Sequence, residues 1–144
     1  MYLSGPTATV GRDRKGGVME PIVKSLDHPD ERPELPKGHA EMVRLGDQVV
    51  IRGVLEPGWR WSNDWQPIFG TPSCQVPHTG YVLSGRWHFE MDDGTGVDLG
   101  PGDAYAIPPG HDAWVKGDEP VQTLDWAPAH DDTTVNVIEA ATSG

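Results

Sequence analysis

The chain has a single cysteine, Cys74, among its 144 residues. An intramolecular disulfide is therefore excluded, and stability has to come from burial rather than from covalent staples. A single domain of this length buries roughly 70% of the surface that its unfolded chain exposes, which is enough for a core. No run of about 18 apolar residues occurs, so no membrane-spanning helix is expected. The N-terminal MYLSGPTATVGRDRKGG lacks the apolar segment of a secretory signal, and a cytoplasmic location is expected. Positive charge is scarce: 11 Lys and Arg stand against 22 Asp and Glu, a formal net charge of −11 at pH 7. Such a surface repels phosphate backbones and anionic lipid headgroups, so neither nucleic acid nor a membrane is an expected partner.

Uninterrupted helical stretches are also missing. The 18 Gly and 14 Pro disfavour helix interiors and cut the chain into short segments joined by turns. Residues 1–18 lack apolar periodicity and are expected to form a flexible arm ahead of one domain over 19–144. Residues 20–26 read as a first edge strand, with Ile22 and Val23 available for pairing with a second copy, so a homodimer is expected. A loop with three prolines follows. Glu41–Leu45 and Gln48–Leu55 form a hairpin about Gly46-Asp47. Trp59–Pro77 is irregular. Strands are then expected at Gly80–Ser84, Trp87–Met91, Val97–Leu99, Ala104–Ile107, Asp112–Lys116 and Val121–Trp126, with a further edge strand at Thr133–Glu139. Eight to ten short strands at this spacing imply an all-β antiparallel sandwich or barrel, and periodicity alone does not choose between them.

The segment CQVPHTGYVLSGRWHFEMDDGTGVDLGPGDAYAIPPGHDAW, from Cys74 to Trp114, continues into VKGDEPVQTLDW and is preceded by LEPGWRWS. Over roughly residues 19–128 the chain resembles the cupin family, specifically its short bacterial single-domain members. The resemblance implies a small antiparallel jelly-roll barrel. Gly85 falls at the closing glycine of the first cupin motif, and Gly102, Pro108 and Gly110 frame the second. The usual metal ligands are replaced. His78 stands at the glutamate position, Cys74 and Pro72 at the two first-motif histidines, and Ala113 at the second-motif histidine, with His111 two residues earlier.

Cys74, His78 and His111 are the candidate metal ligands. One thiol and two imidazoles suit a divalent transition metal such as Zn, Fe, Ni or Cu, with a coordination position left for water or substrate. His111 shares strand parity with position 113, and Cys74 shares it with His78 if the chain between them is extended. The alternative stays open: Cys74 as a small buried hydrophobe, His78 hydrogen-bonding across a sheet, His111 capping its turn. Asp112 is a candidate to orient His111, and Asp103 is expected to tie its own turn. Arg60 and Arg86 are candidates to hold an anionic group or are plain surface charges. His28, His39 and His130 are expected in solvated loops and His88 at the far end of the sheet. Of the six tryptophans, Trp59, Trp61 and Trp114, together with Tyr81, are the expected walls of a ligand pocket; indoles at barrel core and dimer interface are the competing reading.

Three functions follow from these residues. The first is a metal-binding enzyme acting on a small organic molecule, as an oxygenase, isomerase or lyase. The second is a ligand-binding or sensing module without metal and without catalysis. The third is a redox-responsive protein in which His78 activates the Cys74 thiol.

Overall fold

The computed structural model describes residues 20–129. The expected N-terminal arm and the expected strand at Thr133–Glu139 lie outside them. Nine strands run β1 (Glu34–Leu35), β2 (Gly38–Leu45), β3 (Gln48–Leu55), β4 (His78–Ser84), β5 (Arg86–Met91), β6 (Gly96–Leu99), β7 (Ala104–Ile107), β8 (His111–Lys116) and β9 (Val121–Pro128). Between β3 and β4 a turn of π-helix at Trp61–Trp65 leads into the short helix α1 (Gln66–Phe69). None of the described helices is long and apolar enough to cross a membrane.

The strands form two antiparallel sheets, one of six in the order β1-β2-β3-β9-β4-β7 and one of three in the order β6-β5-β8. Side chains alternate across each strand, as period-two geometry requires. His111, Ala113 and Val115 of β8 are buried, whereas Asp112, Trp114 and Lys116 face outward to varying degrees. Val82, Trp87, Phe89, Tyr105, Ile107 and Val121 meet between the sheets with Trp59 and Trp61. A smaller cluster of Met42, Val49 and Ile51 lies on the β2–β3 hairpin.

The expected closed jelly-roll barrel is not what forms. The two sheets remain separate, with no ladder joining their edges among the described residues. The chain that passes beside β8 supplies single bridges, Arg60 to Trp114 and Cys74 to His111, rather than a strand. Its sequence explains why. Pro67, Pro72 and Pro77 remove backbone donors from this stretch, and the Trp61–Phe69 segment is wound into helix, so a continuous ladder cannot propagate. The expected edge strand at 20–26 is also corrected. Residues 20–25 are in no ladder, and Glu31 bridges to Met42 instead. Pro21 is consistent with that exclusion. The hairpin at Gly46-Asp47 forms as expected, with Gly46 at φ 65°.

Gly85 and Gly94 test this packing. Both have positive φ, 81° and 92°. A β-carbon at Gly85 would collide with the Pro120 carbonyl and come within 2.7 Å of the Val121 α-carbon, whereas at Gly94 it would meet nothing within 4 Å. Gly94→Ala should cost about 1–2 kcal/mol for the left-handed backbone alone. Gly85→Ala should cost roughly 3 kcal/mol or more, because backbone must also move. Urea denaturation of both variants measures the difference; equal losses would contradict the close approach of β4 and β9 at Gly85.

Candidate metal centre and ligand cavity

A cavity of about 100 Å³ opens between the sheets. Trp59, Trp61, Trp65, Trp87, Phe69 and Phe89 supply much of its apolar wall. Its polar groups are few: Cys74, His78 and His111, with Asp125 and Thr123 from β9 and His39 from β2.

Local backbone geometry brings the thiol to the imidazoles. The Cys74 N–H donates to the His111 carbonyl at 2.7 Å, and the Gly110 N–H donates to the Cys74 carbonyl at 2.8 Å. These bonds fix the Cys74 segment opposite the start of β8. His78 opens β4 with the inward parity of Val82. One ligand atom from each of Cys74, His78 and His111 falls within 4.8 Å of the others. The Cys74 Sγ lies 4.0 Å from His78 Nε2, and the two imidazole centroids are 5.1 Å apart. Phe89 packs edge-on against His111 with centroids 5.1 Å apart, so an aromatic ring backs the cluster.

Each imidazole is oriented from behind. His111 Nδ1 is 2.8 Å from the Pro108 carbonyl. A carbonyl only accepts, so that nitrogen carries the proton and, in the neutral ring, Nε2 keeps its lone pair. His78 Nδ1 is 3.4 Å from Asp125 Oδ2, which turns Nε2 toward the sulfur. Asp125 is held in turn by the Tyr105 hydroxyl, which donates a short hydrogen bond to its other oxygen. Burial, then the charge of Asp125, raises the Tyr105 phenol above its ordinary range, so it remains a donor.

Electrostatics follow from these contacts. Burial opposes charge on Cys74, but its contacts with the His111 and His78 rings outweigh burial and bring the thiol from 9.0 down to about 6. Burial likewise opposes charge on His78, and Asp125 followed by Cys74 outweighs it, raising the ring from 6.5 to about 9. The two shifts favour a thiolate beside an imidazolium in the metal-free pair, and opposite charges in contact suit an apolar cavity better than a lone charge.

The donor set fits a transition metal. Ligand atoms around a tetrahedral ion with bonds of about 2.0–2.3 Å lie roughly 3.5 Å apart. The sulfur lies 4.0 Å from His78 Nε2, all three ligand atoms are within 4.8 Å, and Nε2 of neutral His111 offers a lone pair. A carboxylate behind one imidazole and a carbonyl behind the other complete the usual outer support of metal-binding histidines.

The other expected site residues divide. Trp59 and Trp61 line the cavity; Arg60 between them is extended, at φ −143° and ψ 127°, which puts both indoles on one side. Tyr81 and Trp114 are not among the residues that line the cavity. Tyr81 has the outward parity of β4 and is 39% exposed. Trp114 lies on the outer face of β8 beneath the Arg60 guanidinium, 4.1 Å from the ring centroid, and beside His88. Asp112 does not orient His111; its oxygens accept from the Ser62 N–H and hydroxyl and from Arg60. Arg60 is thereby engaged outside the cavity. Asp103 ties its turn by accepting from the Gly100 N–H at 2.8 Å. His88 sits between Asp98 and Glu90 on the outer face. His39 is on β2 rather than in a loop and pairs with Glu41 at 3.2 Å. Asp125 and Tyr105 were missed, and Trp87 was counted only within the group of six tryptophans. Asp125 carried a readable signal: it has the parity of Val121 and Thr123, so an acidic side chain points inward from an otherwise buried row.

Three further polar groups are enclosed in the core around the cavity. The indole N–H groups of Trp59, Trp61 and Trp87 are buried and have no hydrogen-bond partner among the described residues. A buried donor left unpaired costs about 1–3 kcal/mol.

Residues 74–127 match the family model described as the cupin domain. The chain carries a cupin domain. Solved structures of like fold include KdgF from Halomonas sp., 20% identical over 79% of this cupin and 98% of that chain, TM-score 0.54. The polyketide cyclase RemF from Streptomyces resistomycificus is 22% identical over 77% of this chain and 80% of its own, TM-score 0.52. The coconut allergen cocosin is 18% identical over 73% of this chain and 32% of its own, TM-score 0.51. Identities this low carry the fold and not the activity. Among curated proteins, none matches the chain. The cluster of Cys74, His78 and His111 contains no carboxylate.

Asp125 is the testable element of this arrangement. Asp125→Asn removes the charge that raises His78, so the ring should titrate closer to 6.5 than to about 9, and the Cys74 thiol should rise above about 6 with it. Ring-proton NMR for His78 and pH-dependent alkylation for Cys74 measure the two shifts; an unchanged His78 titration would contradict the Asp125 assignment.

Proposed function

We propose that this cupin is a metal-dependent enzyme acting on a small organic molecule, with Cys74, His78 and His111 as the metal ligands. The observation that carries the reading is the convergence of one sulfur and two imidazole nitrogens within 4.8 Å at the wall of an apolar cavity. A divalent transition metal held there would supply Lewis acidity toward a substrate oxygen or lower the pKa of a water. The chain's own residues do the rest. Asp125 and the Pro108 carbonyl hold the imidazoles in register. The tryptophan wall excludes bulk water and shapes the substrate. Before metal binds, Asp125 holds the proton on His78, and metal binding would release it. That one structure of like fold is described as a polyketide cyclase is consistent with a small-molecule enzyme and does not extend to the reaction.

A second reading is favoured by one feature, the alignment of Cys74 Sγ, His78 and Asp125, with 4.0 Å from sulfur to Nε2 and 3.4 Å from Nδ1 to the carboxylate. Without metal, this row is an activated thiol, able to react with an electrophile or oxidant that enters the cavity.

Zinc titration by calorimetry separates the readings. The metal reading predicts one zinc per chain, with affinity falling about 100-fold or more in Cys74→Ser, His78→Ala and His111→Ala. Metal binding must displace the His78 proton below about pH 9 and the Cys74 proton as well below about pH 6. Affinity should therefore rise with pH, steeply below about 6, less steeply up to about 9, and level off above. Zinc should also protect Cys74 from alkylation. Undiminished zinc binding in all three variants would contradict the ligand assignment, and fast alkylation unaffected by zinc would favour the free thiol.

A further inference from the structure

We infer that the outer face of β4, β7 and β9 is where a second copy of this chain docks, giving a twofold homodimer with the two large sheets face to face. The inference is independent of the metal and of the cavity, which lie on the inner side of the same strands. The first observation is where apolar surface is left open. Tyr81 and Leu83 on β4 and Trp126 on β9 point outward and are 39%, 40% and 44% exposed. β4 and β9 are neighbours in the sheet, so the three side chains share one face. The adjoining part of that face is covered by the chain itself. Val43 pairs with Val50 on the outward side of β2 and β3 and is only 2% exposed, and the Arg52 guanidinium donates to the Leu26 carbonyl and the Asp27 carboxylate. Beyond β3 the exposure of Trp126, Tyr81 and Leu83 marks where that cover ends. A contiguous apolar patch on an otherwise polar surface is the usual mark of a contact site.

The second observation is charge. Asp and Glu outnumber Lys and Arg 22 to 11, yet no outward position of β4, β7 or β9 carries a charged side chain. Two copies of an acidic chain repel wherever charged surfaces meet, so an uncharged face is the one on which like copies can approach. A basic partner would be drawn to the acidic remainder instead. The third is register. Tyr81 pairs with Leu124 on one side and Ala104 on the other. One residue along, Thr79 pairs with Ala106, and Trp126 follows Asp125, the partner of Gly80. Two rows therefore cross the sheet, Leu124–Tyr81–Ala104 and Trp126–Thr79–Ala106, each bulky on β9 and small on β7. A twofold axis running along β4, between two facing sheets, exchanges the ends of each row. It sets Trp126 and Leu124 of one copy over Ala106 and Ala104 of the other, large onto small, at the ~10 Å spacing of packed sheets. Three strands about 4.8 Å apart and about eight residues long cover roughly 400 Å² in plan. With side-chain relief and the exposed Ile22 and Val23 of the covering segment, the contact comes near the ~600 Å² per partner of the smaller specific interfaces.

The test is the mass of the full chain in solution, by sedimentation equilibrium over roughly 1–200 μM, the range expected of a small interface. A dimer of about 31 kDa, twice the 15.7 kDa of the chain, should be populated within it. Trp126→Glu buries a carboxylate in the contact, and Ala106→Arg fills the space that Trp126 of the second copy would take. Each should weaken the dimer about 100-fold or more. Ile68→Glu on α1 and Val97→Glu on β6, at positions of similar exposure off this face, should leave it intact. Circular dichroism confirms that the variants are folded. The unaltered protein gives an independent reading: the Trp126 indole N–H resonance, assigned with Trp126→Phe, should shift as the sample is diluted from dimer to monomer. A monomer throughout the range, a dimer unaffected by both Trp126→Glu and Ala106→Arg, or a resonance that stays fixed on dissociation would each overturn the inference. A monomer whose Trp126 indole is shielded from a paramagnetic cosolute would overturn it in favour of cover by residues outside 20–129.

Discussion

A thiol and two imidazoles at an aromatic-walled cavity are tolerable only because each has a polar partner behind it. Asp125 stands behind His78, the Pro108 carbonyl behind His111, and the imidazoles themselves stand beside Cys74. Remove these supports and burial alone would push His78 and Cys74 toward their neutral forms. The fold is arranged around meeting that demand. β9 runs between β3 and β4 in the large sheet, which carries Asp125 to the β4 histidine. The proline-rich segment before β4 pairs with β8 at a single bridge, which carries Cys74 to His111. The Tyr105 hydroxyl, from β7 on the other side of β4, closes the row.

The same requirement explains why an open pair of sheets serves here. A continuous strand over 59–77 would close the edge of the small sheet. The prolines and the Trp61–Phe69 helical turns prevent it, and in exchange place Trp61, Trp65 and Phe69 over the cavity. Gly80 has a comparable role at the other wall. A β-carbon there would collide with the Asp125 carboxylate and the Leu124 carbonyl and approach the Tyr105 hydroxyl to 2.7 Å. The glycine therefore leaves room for the Asp125–Tyr105 pair beside His78.

Much of this was legible in the residues. Turn chemistry located the β2–β3 hairpin and the strands from β4 to β9, because Gly and Pro punctuate each one. Motif spacing singled out Cys74, His78 and His111, whose side chains do come together. Parity, applied consistently, would have removed Tyr81, which faces opposite to His78 on β4, and Trp114, which faces opposite to His111 on β8. It would also have added Asp125. Other features depend on contacts distant in sequence and have no local signature. Nothing near Pro108 announces that its carbonyl orients His111, and nothing near Asp112 announces its attachment to Ser62. Sheet closure was misjudged for a related reason: strand count does not reveal whether the last edges pair.

The central claim is that sulfur and both imidazoles act on one metal ion. The most direct measurement is the electronic spectrum of the protein titrated with cobalt(II), an optically active stand-in for zinc. The account predicts one equivalent bound, with a near-ultraviolet thiolate-to-cobalt charge-transfer band that disappears in Cys74→Ser and ligand-field bands whose energies change in His78→Ala and His111→Ala. A cobalt spectrum without the thiolate band, or one identical in the wild type and all three variants, would contradict it.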